Sequence, residues 1–146
     1  MAKRDDVLFA IRALVARALP LMEVIGLDGD DAPPGRVGPH GRAIVRSGEP
    51  GDPEVDLGAL SYNYDHRVPV EIILPAPAGA ISERAIALSL GAIGREIVAD
   101  RFLSGLCDWI EATAPMTGDV HAEGSGRPPR GALLDIVASY STSSPI

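Results

Sequence analysis

Apolar positions recur at helical spacing near the start of the chain. Val7, Leu8, Ile11, Leu14, Val15 and Ala18 fall on one face of a helix. Asp5 and Asp6 sit near its beginning, where the helix dipole favours negative charge, and Pro20 stops it. Leu21 to Ile25 and Ala43 to Arg46 predict two short strands. The best strand signal runs from Ala59 to Leu74. Tyr62, Tyr64, His66, Val68, Val70 and Ile72 alternate there with Asn63, Asp65, Arg67, Pro69, Glu71 and Ile73. Pro69 lacks a ladder donor and predicts an edge or a bulge.

Ser82 then predicts an N-cap for a helix with Ile86, Leu90, Ile93 and Ile97 on its inner face. The phase shifts around Asp100. Leu103, Leu106 and Ile110 predict a second helical segment, with Trp109 beside it. Met116 to Glu123 alternates weakly. Ala132 to Thr142 predicts a closing strand, with Leu134, Ile136, Ala138 and Tyr140 on one face.

The predicted order is α, β, β, β, α, α, β, β, without βαβ alternation. That favours an α+β fold in one domain spanning 1–146, with helices packed on one face of a largely antiparallel or mixed sheet. Residues 26–41 and 47–58 are dense in Gly and Pro and predict long loops. The stretch 124–131 predicts a turn, and the C-terminal end is expected to be flexible. These loops and the turn are expected to be the parts that order on meeting a partner.

Charge and chemistry narrow the picture further. Thirteen Lys and Arg against twenty Asp and Glu give a net charge of −7, which argues against a groove that grips nucleic acid. The first twenty residues break any signal-peptide core with charges, so a mature cytosolic start is expected, and no apolar run is long enough for a membrane span. Cys107 is the one cysteine, so no disulfide forms within the chain, and it reads as a buried structural thiol. His40, His66 and His121 lie far apart, without ligand spacing, and read as structural. Asp28, Asp30 and Asp31 resemble the start of a calcium loop, but the position that needs a bidentate Glu is Pro39. GRVGPHG opens no helix, and GSGRPPRG lacks the phosphate-loop Lys. No catalytic residue, cofactor site or metal ligand is therefore assigned.

Several pieces together resemble one family. They are the N-terminal helix, the Gly- and Pro-rich loop after a short strand, SYNYDHRVPVEIIL, ADRFLSGLCDWIEATAP and LLDIVASYSTS. Within them Asp100, Leu103, Ser104, Gly105 and Leu106 match the family's usual acidic, Leu, small-Gly, Leu run, and Tyr140 and Thr142 follow the terminal strand. The chain resembles the tail terminator, or tail completion, proteins of long non-contractile-tailed phages, prophages and gene transfer agents. The resemblance implies a virion structural protein rather than an enzyme. It implies a ring, usually a hexamer, that caps the tail tube, ends its polymerisation and offers a surface for joining the head. The implied partners are further copies of itself, the tail tube protein and a head-completion or connector protein, and genomic DNA passes through the channel without specific binding. The implied locations are the virion, at the head–tail junction, and the host cytoplasm during assembly. Competing readings are another head–tail connector or minor tail protein, a small enzyme with an unrecognised site, and a ligand-binding module with a closed apolar pocket.

Overall fold

The computed structural model describes residues 2–27, 38–77, 80–119 and 129–145. Helix α1 spans Lys3–Ala18 and buries Val7, Leu8, Ile11, Leu14 and Val15, the face that its periodicity predicts. Asp5 and Asp6 lie in its first turn and Arg17 in its last, each complementing the dipole. Strands β1 (Glu23–Ile25), β2 (Arg42–Val45), β3 (Glu54–Asp56) and β4 (Ser61–Pro77) follow, then helix α2 (Ala80–Ala99). Strands β5 (Trp109–Ala112), β6 (Met116–Asp119) and β7 (Pro129–Thr142) complete the described elements.

The strands form one mixed sheet in the order β1-β2-β4-β7-β5, with β3 beside β4 and β6 beside β7. Every pairing is antiparallel except β1 with β2. In that parallel pair Glu23 lies opposite Arg42, whose buried guanidinium reaches the Glu23 carboxylate at 2.8 Å. The ladder of β4 with β7 runs from Tyr62 opposite Thr142 to Ile73 opposite Gly131 and forms the spine of the sheet. Both helices pack on one face of it. Their apolar sides meet Val68, Val70, Ile72, Leu134, Ile136 and Ala138 in a single core. This is the α+β architecture expected from the order of elements.

The structure corrects the expected elements at four places. The segment holding Leu103, Leu106 and Ile110 is not a second helix. Asp100 accepts hydrogen bonds from the Ser104 amide at 2.9 and 3.2 Å, and Leu103, Ser104 and Gly105 all take positive φ, which ends the helical path. A short 3-10 turn at Leu103–Gly105 leads into β5, where Ile110 pairs with Ala138. The helical spacing was a coincidence of three side chains that reach one core from a turn, a bend and an edge strand.

Residues 47–58 are not all loop. Glu54–Asp56 pairs with Ser61–Asn63, and the Asp56 carboxylate accepts the Gly58 amide at 3.0 Å to close the hairpin. Three residues are too few to show a period among so many Gly and Pro. Pro69 marks neither an edge strand nor a bulge; it lies in the central strand. The Arg46 amide donates to the Pro69 carbonyl. In an antiparallel strand the nitrogen and carbonyl of one residue point to the same side. The side of Pro69 that lacks an N–H therefore faces the end of β2, where the chain leaves the ladder after Arg46 and turns through Gly48 close against the Pro69 ring. Finally, α2 starts at Ala80, so Ser82 lies in its first turn rather than at its N-cap.

Candidate functional site

The end of the spine nearest the start of α1 gathers the most chemistry. Period 2 along β4 turns Tyr64 and His66 to the inner face, and the ladder sets Tyr64 opposite Tyr140 of β7. The two tyrosine rings stack with centroids 5.7 Å apart. The His66 side chain is fully buried. Its Nε2 lies 2.6 Å from the Ser47 carbonyl and its Nδ1 lies 3.0 Å from the Tyr140 hydroxyl. A carbonyl only accepts, so Nε2 carries the proton and Nδ1 accepts from the tyrosine. Both ring nitrogens are thus engaged in the neutral form. Burial holds the His66 pKa below its ordinary 6.5, and burial also raises that of Tyr140.

Over the tyrosines lies a cavity of about 650 Å³, whose walls include Lys3, Arg4, Tyr64, Tyr140 and Ser143. The Tyr64 hydroxyl donates to the Pro145 carbonyl at 3.3 Å, and Thr142 donates to the Ser144 carbonyl at 2.6 Å, so the C-terminal residues are tied back over this end. The cavity offers cations, hydroxyls and an aromatic wall. These groups suit binding or packing. His66 lies behind Tyr140 with no lone pair to offer as a base.

The other sequence candidates do not converge here. His40 is exposed in a turn. His121, Asp28, Asp30 and Asp31 lie outside the described residues, as does most of GSGRPPRG; its last three residues belong to β7. Cys107 is buried, and burial pushes its pKa up to about 11, so at neutral pH it is an unreactive thiol. Among the described residues no group of three or more His, Cys, Asp or Glu side chains is placed to hold a metal ion. No helix among them is long and apolar enough to cross a membrane.

Sequence reasoning passed over a second class of residues, apolar side chains that point outward from ordered elements. Leu57 and Leu60, at the turn between β3 and β4, are 83% and 57% exposed. Leu88 and Val98 of α2 are 63% and 67% exposed. A signal existed for α2, since residues 85–94 contain a single polar side chain, Ser89. Beyond α2, Phe102 meets Trp109 edge to face, and the Arg101 guanidinium lies 4.5 Å from the Trp109 ring centre. The sequence matches no protein-family model and no curated protein.

Proposed function

We infer that this chain is a tail terminator: a virion structural protein that assembles as a ring, most simply of six copies, on the end of a phage-type tail tube. The ring ends tube growth and presents a surface to a head-completion protein. The observation that carries the reading is the ordered apolar surface. Leu57 and Leu60 sit on a hydrogen-bonded hairpin, and Leu88 and Val98 sit on a regular helix. Such side chains, presented to solvent by regular elements, favour a role in which other protein surfaces cover them. The resemblance carried by SYNYDHRVPVEIIL, DRFLSGL and LLDIVASYSTS supports a phage-type tail end as that assembly.

The engaged nitrogens of His66 and the buried thiol of Cys107 favour structure over catalysis. The cavity at the tyrosines is only partly enclosed and carries Lys3, Arg4 and Asp5 on its wall, so it is not the closed apolar pocket expected of a ligand-binding module. The net charge of −7 suits a channel past which DNA slides without adhering.

The test is tube capping. Purified protein is added to polymerising tail tube protein, and tube lengths and ends are read by negative-stain microscopy. Capped ends and shortened tubes are expected. Tubes that grow unchanged, with bare ends, would sink the reading. Head-joining activity without capping would point instead to another head–tail connector.

A further inference from the structure

Helix α2 is apolar almost all the way round. Its inner side buries Ile86, Ile93 and Ile97. Ser89, the one polar residue from 85 to 94, is also buried and donates back to the Ala85 carbonyl at 2.8 Å. The outer side presents Ala87, Leu88, Gly91 and Val98, all exposed. A helix facing only water carries polar residues there, and a helix apolar on every side is a covered helix. The charges bordering this outer stripe are Glu83, at its N-terminal edge, and Arg84 and Arg95, all exposed, and neither arginine has an ion-pair partner among the described residues.

The matching surface lies on the opposite side of the same molecule. The sheet face away from the helices carries Asp65 on β4 and Glu111 on β5, with Asp108 just ahead of β5. All three are exposed and have no cation within ion-pair distance among the described residues. Asp65 is held by the Ser139 hydroxyl at 2.6 Å. Asp52, Glu54, Asp65 and Asp108 border a hollow of about 190 Å³. Trp109, next to Asp108 and still partly exposed with the Arg101 guanidinium over its ring, is the kind of large side chain that anchors an interface.

We propose that α2 of one copy docks on the acidic half of the open sheet face of a second copy of this chain. Leu88 and Val98 cover Trp109, and Arg84 and Arg95 meet the unpaired carboxylates. The occupant is a second copy because the complement to each surface, in both charge and apolar character, is on the chain itself. Each surface faces away from the other, so the contact is head to tail, and its repetition closes into a ring or continues as a filament. The proposal rests on the ring reading and names the surfaces that make the ring.

Sedimentation velocity of the full chain, from micromolar to millimolar concentration at low and high salt, tests it. Concentration-dependent association is expected, weaker in high salt. Leu88→Glu is expected to weaken it at least tenfold while the melting temperature holds. Two charge reversals test the pairing. One is Arg84→Glu with Arg95→Glu; the other is Asp65→Lys with Asp108→Lys and Glu111→Lys. Each alone should lose association, and an equal mixture should regain it, because each then carries the surface that the other needs. A wild-type chain that stays monomeric throughout overturns the proposal. So does a Leu88→Glu chain that associates as tightly as wild type, or a mixture of folded reversals that does not associate. Tube capping separates this from the broader reading. Capping without self-association sinks the interface and leaves the tail-end role standing, whereas self-association through these surfaces without capping does the reverse.

Discussion

The Tyr140 hydroxyl donates to Nδ1 of His66 across 3.0 Å, joining β7 to β4 through side chains 74 residues apart in sequence. With Nε2 donating to the Ser47 carbonyl, the imidazole ties three segments together in its neutral form. Replacing Tyr140 by Phe keeps the ring stack but leaves Nδ1 buried without a donor. The expected loss is about 1–3 kcal/mol of folding free energy, read from urea midpoints. A midpoint equal to wild type would show that water or another donor fills the place.

The same histidine makes stability depend on pH. Burial lowers its pKa in the folded chain, so the unfolded chain takes up the proton first as pH falls. Its contribution is full above the unfolded value of about 6.5 and shrinks as pH drops toward the lower folded value. Urea midpoints measured from about pH 7 down to about pH 5.5 should fall, and a His66→Asn chain should show a shallower fall. Equal slopes in the two chains would remove His66 from the linkage.

Core substitutions on α2 should separate by depth. Ile93 is fully buried, so Ile93→Ala is expected to cost about 2–5 kcal/mol. Leu90 is only partly buried against the core, and Leu90→Ala should cost clearly less. Equal costs would mean that the helix is rotated about its axis relative to this packing.

Gly48 and Gly51 offer a paired backbone test. Both hold positive φ, at 59° and 72°. A Cβ on Gly48 would overlap the Arg67 carbonyl, whereas one on Gly51 meets nothing. Gly51→Ala should therefore cost only the left-handed conformation, roughly 1 kcal/mol, and Gly48→Ala more, up to about 3 kcal/mol. Thermal melts of the two variants would show the ranking, and a reversed order would show that the turn beside Pro69 is not as close as described.

Cys107 should resist alkylation. Its thiol is buried and its pKa raised to about 11. Iodoacetamide at neutral pH should label the native chain far more slowly than the chain in concentrated urea, read by intact mass. Equal rates would place the thiol at the surface.

The parts of the fold legible in the sequence are those where one face repeats over many residues. The inner faces of α1, β4 and β7 follow directly from Val7 to Val15, Tyr62 to Ile72 and Leu134 to Tyr140, because burying one side of a regular element imposes its own period. Period alone could not separate a helix from a turn followed by a strand at Leu103–Ile110, since both can aim side chains three and four apart at one core. The hairpin at Glu54–Asp56 escaped because its partner strand, not its own three residues, holds it in place. At the candidate site, His66 and Tyr140 were each visible as inward residues, but their hydrogen bond needed the register of β4 on β7. The outward face of α2 needed more still. Its apolar composition was open to reading, yet only the packing shows that Ile86, Ile93 and Ile97 take the core and leave Leu88 and Val98 uncovered. A periodic pattern records which residues share a face, whereas the contacts among distant elements decide which face is inside.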